Sequence, residues 1–204
     1  MKYKAVIFDF GGVIELDGGG SMLEDIAETL HVPPEDLKKA YFERNHLSNV
    51  HNVKWEDMMK EVIRVFDKSK AAEDRVMELV RERRNRSTIN TELLKLFPIL
   101  RREGYKVAIL SNNTSDLRKF LGEKGIDKLV DEIVISGEIG FQKPHKEAFD
   151  IAFKKLGIRA EEAVFVDDSP KSLEKAAEIG YHPILFTDNE SLKSALDKVD
   201  ITIQ

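Results

Sequence analysis

Two apolar runs that each end in aspartate limit the folds open to this chain. Near the start, residues 5–8 lead directly into Asp9, and far downstream residues 163–166 lead into Asp167 and Asp168. Unbroken apolar runs with β-branched residues are typical of strands buried on both faces, as in a parallel sheet. Ligands of open α/β folds bind at the C-terminal edge of the sheet, so we expect the three carboxylates to gather there. Together they can hold a hard divalent cation, and one of them can attack a substrate.

The sequence after residue 86 alternates between helical and strand patterns, which predicts right-handed crossovers and a Rossmann-like α/β core with a parallel sheet. Besides the first strand, at residues 4–8, the pattern predicts strands at 106–110, 132–135, 163–166 and 183–186. It predicts helices at 115–124, 145–156 and 169–179, and a further helical stretch over 93–100 that Pro98 should kink or split. For the helix at 169–179 we expect Ser169 to cap the start, Pro170 to occupy the first turn and Gly180 to follow the end.

The segment between residues 21 and 86 is helical throughout in its pattern. Four stretches carry apolar residues at i, i+3 and i+4 spacing, which predicts a small α-helical bundle inserted after the first strand. We therefore expect a core domain from residues 1–17 and 88–204 and a helical cap domain from residues 18–87. The junctions near 17–20 and 85–90 are candidate hinges, and the strongest stripe, which starts at Trp55, is predicted to form bundle core instead of a ligand site.

Composition narrows the functional class. Hydrophobic residues make up 42% of the 204 residues, enough for a substantial core, and the net charge of −5 argues against nucleic acid as a partner. The chain has no cysteine, which excludes disulfides and thiolate chemistry and fits a cytoplasmic protein. No signal peptide is recognisable, and no apolar stretch approaches the roughly 18 residues that span a bilayer, so no membrane partner is expected.

Four short segments at predicted strand ends carry the residues suited to phosphate chemistry. They are Asp9, the pair Ser111 and Asn112, the pair Lys143 and Pro144, and the pair Asp167 and Asp168. A phosphate dianion repels a carboxylate nucleophile, so its charge must be neutralised before attack. A divalent metal and a lysine can do that, while hydroxyl and amide groups hold the oxygens.

In this order, with a helical insertion after the first, the four segments resemble the haloacid dehalogenase-like hydrolases over nearly the whole chain. The resemblance implies a Rossmann-like core with a mobile cap, and Asp9 as the nucleophile that forms a phosphoaspartyl intermediate. It also implies that Ser111 and Lys143 bind the phosphoryl oxygens and that Asn112 lines the same pocket. The implied cofactor is Mg²⁺, and Asp9, Asp168 and the backbone carbonyl of Gly11 are its implied ligands. Asp167 supports the ion or binds it through water.

Gly11 departs from the family pattern. Phosphatases of this family usually carry a second aspartate at this position, which protonates the leaving oxygen and then activates water. General acid–base catalysis typically contributes about 10²–10⁴-fold to rate. Three explanations are open: a substrate with a good leaving group, another acid such as Glu15 or Asp17, or a site that binds phosphate with little turnover.

The expected activity is therefore hydrolysis of a small-molecule phosphate monoester. The alternatives are a 2-haloacid dehalogenase and a low-turnover phosphate-binding regulatory protein. Against dehalogenation, the adjacent carboxylates of Asp167 and Asp168 would repel a carboxylate substrate. The arginine-rich run at 81–86 is interpreted as a solvated helix end, with the alternative that one arginine reaches the cleft and binds an anion. The identity of the ester and the oligomeric state are left open.

Overall fold

A computed structural model of the chain describes residues 2–16 and 21–201. Its centre is a five-stranded parallel sheet in the order β5-β4-β1-β6-β7. The strands are β1 (Ala5–Phe8), β4 (Lys106–Ser111), β5 (Glu132–Ile135), β6 (Ala163–Asp167) and β7 (His182–Leu185). This is the predicted α/β, Rossmann-like architecture.

Helices cover both faces of this sheet, because alternate residues of the central strands point to opposite sides. Val6 and Phe8 of β1 face one hydrophobic cluster, whereas Ala5 and Ile7 face another. The helices of the first face are α6 (Thr91–Leu94), α7 (Leu96–Arg102), α8 (Asp116–Glu123) and α13 (Asn189–Asp197). Those of the second face include α10 (Lys146–Leu156), α11 (Pro170–Leu173) and α12 (Ala176–Ile179). The short helix α9 (Ser136–Ile139) follows β5.

Residues 22–86 form a separate helical bundle with its own buried core. Its helices are α1 (Met22–Leu30), α2 (Pro34–Arg44), α3 (His46–Asn49), α4 (Trp55–Phe66) and α5 (Lys70–Arg86). Met58, Met59, Val62 and Ile63 of α4 are completely buried in that core, as the spacing predicts. The division of hydrophobic clusters follows the predicted division of the chain, and the cap role of the bundle stays a prediction.

A two-stranded antiparallel ribbon joins the bundle to the sheet, and the sequence pattern did not predict it. It pairs β2 (Glu15–Leu16) with β3 (Thr88–Ile89), so the two connections to the bundle run side by side. The second predicted junction, 85–90, contains the end of α5 and all of β3. Of the first junction, residues 17–20 lie outside the described residues.

Other local expectations need correction. The predicted helix at 169–179 is two short helices, and the Ser169 side chain makes no capping hydrogen bond, although Pro170 does occupy the first turn. Instead, the N–H of Ser169 donates to Oδ1 of Asp167 at 2.8 Å. The helical stretch before β4 is split, as predicted; the break falls at Lys95, which places Pro98 in the first turn of α7, where a residue without an N–H is tolerated. Within 2–16 and 21–201, no helix has the length and apolar character needed to cross a bilayer.

Candidate functional site

The C-terminal edge of the sheet brings the strand-end residues together. Phe8 is in register with Ile109 of β4 and with Val166 of β6, so Asp9 follows β1 beside the ends of both neighbouring strands. The N–H of Asp9 donates to the carbonyl of Val166 at 2.9 Å. Ser111, the last residue of β4, is buried at the same edge. The apolar strands thus fix the positions from which these side chains leave the sheet.

Lys143 lies between two of the carboxylates. Its Nζ atom is 2.9 Å from Oδ1 of Asp9 and 2.6 Å from Oδ2 of Asp167, and its side chain is only 1% exposed. The ammonium also lies 5.1 Å from the ring centroid of Phe165, a residue of strand β6. A lysine is rarely buried this deeply unless it is paired, and here two carboxylates compensate its charge.

Asn112 holds the main chain of Lys143 in place. Its Nδ2 donates to the carbonyl of Lys143 at 3.0 Å, and its Oδ1 accepts from the N–H of Lys143 at 2.8 Å. Sequence reasoning expected Asn112 to line the phosphate pocket; it does line the cavity described below, and this positioning contact was missed. The contact joins residues 31 positions apart, so nothing in the local pattern could have indicated it.

The electrostatics of the site favour a bound cation. Burial raises the pKa of Asp9 to about 7, with the Asp167 carboxylate adding to the rise and the Lys143 ammonium opposing it. Burial alone would lower the pKa of Lys143, but the charges of Asp9 and Asp167 outweigh it and raise that pKa. Lys143 therefore stays protonated, whereas Asp9 needs further positive charge to be fully ionised at neutral pH.

Three carboxylates form a cluster with the spacing of a metal site. One oxygen each from Asp9, Asp167 and Asp168 lies within 4.8 Å of the other two. Hard cations such as Mg²⁺ prefer oxygen ligands of this kind, so the donor set fits the predicted ion. Oδ1 of Asp167 accepts a hydrogen bond from the N–H of Ser169, and Oδ2 accepts one from Nζ of Lys143, which suits the supporting role predicted for Asp167. The role expected of the Gly11 carbonyl stays a prediction.

Gly12 makes room for Asp168. A Cβ atom at Gly12 would lie 2.2 Å from Oδ2 of Asp168, and Gly12 has a φ of +73°, which side-chain-bearing residues rarely adopt. The neighbouring Gly11 is different, because a Cβ there would meet no atom within 4 Å. The surroundings of the two glycines therefore differ: Gly12 is in close contact with Asp168, and Gly11 borders open space.

A cavity of about 780 Å³ lies between this edge of the sheet and the helical bundle. The α/β part contributes Phe10, Gly11, Asn112 and Phe120 among others, and the bundle contributes Tyr41, Trp55 and Arg84. A volume of this size falls in the range of small-molecule sites.

Two expectations about the bundle change in this light. Trp55 belongs to the stripe predicted to be bundle core, yet it is only partly buried and lines the cavity. Arg84, from the run interpreted as a solvated helix end, also lines the cavity, which supports the alternative interpretation of one arginine at the cleft. Its guanidinium lies 5.2 Å from the Trp55 ring centroid and hydrogen bonds to Glu56. The spacing of apolar residues predicts which face of a helix is buried, but it does not predict which residues of that face line a cavity.

A family model of the haloacid dehalogenase-like hydrolases matches residues 3–180. This chain belongs to that family. The predicted resemblance is thereby confirmed, and the chain is a hydrolase by family. The site described above lies wholly within the matched residues.

Individual relatives extend the comparison. Rat bifunctional epoxide hydrolase 2 is 24% identical over 98% of this chain, but the chain spans only 39% of that protein. A phosphoserine phosphatase of Thermus thermophilus is 33% identical over 111 residues, which are 52% of this chain and 44% of that protein. The chain therefore spans less than half the length of both of these relatives.

Solved structures support the fold. A HAD family enzyme from Bacteroides thetaiotaomicron superposes with a TM-score of 0.71 at 18% identity, covering 96% of this chain and 99% of that one. The same enzyme in complex with magnesium and inorganic phosphate gives a TM-score of 0.65 at 18% identity, over 91% and 94%. At this level of identity the similarity is one of fold.

Proposed function

We propose that this hydrolase cleaves small-molecule phosphate monoesters through an aspartyl-phosphate on Asp9. The observation that carries the proposal is the position of Lys143, whose ammonium contacts both Asp9 and Asp167 beside the Asp168 carboxylate. One ammonium group beside three carboxylates can bind a divalent metal ion and a dianionic substrate together. Two relatives support the same choice: the Thermus phosphatase by its activity, and the Bacteroides enzyme by its magnesium and phosphate complex.

In the proposed reaction each residue has one role. The Asp9 carboxylate attacks phosphorus, and the Lys143 ammonium and the Ser111 hydroxyl hold the non-bridging oxygens. Asn112 keeps the main chain of Lys143 in position. Asp9 and Asp168, with Asp167 in support, would hold Mg²⁺, which when bound neutralises phosphate charge and helps to keep Asp9 ionised.

The helical bundle serves as the cap in this proposal. It would close over the substrate, exclude bulk water and select the leaving group through cavity residues such as Trp55 and Arg84. The cavity volume of about 780 Å³ exceeds the need of a phosphate group alone, so we expect the ester to carry a sizeable organic part.

The direct test is a panel of phosphate esters assayed with Mg²⁺ and with a chelator. We expect hydrolysis only with the metal, and loss of hydrolysis in Asp9→Asn. Undiminished turnover by Asp9→Asn would remove the nucleophile from the proposal, and chelator-resistant release of halide from 2-haloacids would favour the dehalogenase alternative.

Gly11 favours one further candidate, a phosphate-binding protein with little turnover. Phosphate binding that depends on Mg²⁺, measured by calorimetry, together with no turnover across the panel, would support that alternative.

A further inference from the structure

The space beside Gly11 is open and faces the cavity between the sheet edge and the helical bundle. Nothing lies within 4 Å of the position that a Cβ atom of residue 11 would occupy, and Gly11 is among the cavity-lining residues. A catalytic acid is therefore not sterically excluded from this region; it has only to come from a different position of the chain.

Glu15 is the carboxylate that the backbone brings to Gly11. The two residues form an isolated β-bridge, and the N–H of Gly12 donates to the carbonyl of Glu15 at 2.8 Å. Paired strands lie about 4.7–4.9 Å apart, so this bridge brings the two backbones close together. Glu15 lines the same cavity as Gly11 and is only partly buried, so its longer side chain starts next to the volume that an aspartate at residue 11 would fill.

A hydrogen bond from the second connection to the bundle orients Glu15. The Oγ of Ser87 lies 3.1 Å from Oε1 of Glu15, between residues 72 positions apart in sequence. Ser87 directly follows α5 and precedes β3, so the carboxylate is held where both connections to the bundle meet the sheet.

Among the described carboxylates that line the cavity, Glu56 and Asp116 are less suited than Glu15 to donate a proton. Burial would raise the pKa of Glu56, but the hydrogen bond and charge of Arg84, together with a hydrogen bond from the backbone of Glu56, lower that pKa overall, which makes Glu56 a poor proton donor. Asp116 begins α8, on the far side of the loop that follows β4. Asp17 lies outside the described residues, so the experiment must test it directly.

We propose that Glu15 is the general acid and base of this enzyme, in place of the side chain that residue 11 lacks. The inference rests on the proposed phosphatase function. In the first step the Asp9 oxygen bonds to phosphorus, the ester P–O bond breaks, and the leaving alkoxide takes the proton of the Glu15 carboxyl group. In the second step the Glu15 carboxylate takes a proton from water as the water oxygen bonds to phosphorus and the Asp9–phosphorus bond breaks. Phosphate leaves, and Asp9 and protonated Glu15 are regenerated.

The test compares two esters of similar size with leaving groups of different basicity. 4-Nitrophenyl phosphate releases a weakly basic phenolate that needs little protonation, whereas benzyl phosphate releases a strongly basic alkoxide. We expect Glu15→Gln, which keeps the acceptor for Ser87, to lower kcat/KM, which reports the phosphorylation step, on benzyl phosphate by about 10²–10⁴-fold and to lower it much less on 4-nitrophenyl phosphate. Asp17→Asn is the matched control and should change neither rate.

One further variant and one further measurement separate catalysis from folding. Gly11→Asp placed in the Glu15→Gln background should restore turnover of benzyl phosphate, because the open space at residue 11 accepts the new carboxylate. In Glu15→Gln the slowed hydrolysis step should make the phosphorylated enzyme accumulate with 4-nitrophenyl phosphate, seen by intact mass spectrometry as one added phosphoryl group.

The two proposals fail in different ways. No turnover of any ester by the unmodified chain with Mg²⁺ would overturn the phosphatase and the acid role with it. Equal losses of kcat/KM on both esters, no loss, or the leaving-group effect appearing in Asp17→Asn would overturn only the role of Glu15.

Discussion

The side chain of Asn52 joins the helical bundle to the α/β part through Ser115. Its Nδ2 donates to Oγ of Ser115 at 2.9 Å, and its Oδ1 accepts from the N–H of Ser115 at 2.8 Å. Asn52 has a φ of +57°, a conformation that asparagine tolerates better than most residues. A Cβ atom at Gly137 would lie 2.8 Å from the same Oδ1, so this contact also depends on a glycine.

Loss of this contact should loosen the bundle without unfolding either part. In Asn52→Ala we expect the amide of Ser115 to exchange its hydrogen faster, because its acceptor is gone, while the melting temperature changes little since each part keeps its own apolar core. Hydrogen–deuterium exchange measures the first and thermal denaturation the second. Asn52→Asp retains an acceptor and should preserve the slow exchange; equally fast exchange in both variants would contradict this account.

Lys143 should be essential for stability as well as for activity. Lys143→Met leaves the carboxylates of Asp9 and Asp167 buried without their cation, and breaking such a buried pair typically costs about 3–5 kcal/mol. Urea denaturation at neutral pH measures the loss. Lys146→Met is a suitable control, because its exposed pair with Asp150 should contribute only about 0.3–0.5 kcal/mol. Similar losses in the two variants would contradict the compensating role of Lys143.

Asp9 should make the metal-free protein less stable as the pH rises. Its pKa in the folded protein is about 7, above the ordinary value of 3.8, so between these values the folded state binds more protons than the unfolded state. The stability contribution of Asp9 is therefore fully present below pH 3.8 and is lost as the pH rises through 7. We expect Asp9→Asn to melt at a higher temperature than the unmodified chain at pH 8 with a chelator, and the gain to shrink towards pH 4. A gain that does not depend on pH would show that the pKa of Asp9 is not raised.

Substitution by alanine should weaken Mg²⁺ binding and stability at Gly12 but not at Gly11. Gly12→Ala forces a Cβ into contact with Asp168 at a positive φ, so we expect weaker Mg²⁺ binding and a loss of stability of about 1 kcal/mol or more. Gly11→Ala meets open space and should preserve both properties. Calorimetric titration with Mg²⁺ and thermal denaturation of the two variants test the contrast. If Gly12→Ala binds Mg²⁺ as tightly and melts at the same temperature as Gly11→Ala, the close approach of Gly12 to Asp168 is not required.

The sheet and the order of its elements could be predicted from sequence because the signals are local. Unbroken apolar runs and helical spacing lie within each element, and the aspartates directly follow the runs at Phe8 and Val166. The β2–β3 ribbon could not be predicted in this way, because two residues per strand give no periodicity and their partners are over 70 positions apart.

The sequence predicted which residues form the site better than it predicted the hydrogen bonds between them. Asp9, Lys143, Asp167 and Asp168 were named from sequence, and the structure brings them together. The hydrogen bonds of Asn112 to Lys143 depend on tertiary contacts that no local pattern encodes. The missing side chain at residue 11 was visible in sequence, whereas the pairing of Glu15 with Gly11 needed the backbone geometry.

The β2–β3 ribbon makes the helical bundle interchangeable in principle. Leu16 and Thr88 face each other in register, so everything between them is, in topological terms, one long hairpin loop on the α/β unit. Any insert whose ends meet at the spacing of two paired strands can be grafted at this point without stretching the sheet. With the cap role proposed above, recombination at the ribbon would change which molecules the protein accepts while leaving Asp9, Lys143 and Asp168 in place, and a new insert would have to replace the contact that Ser87 makes with Glu15.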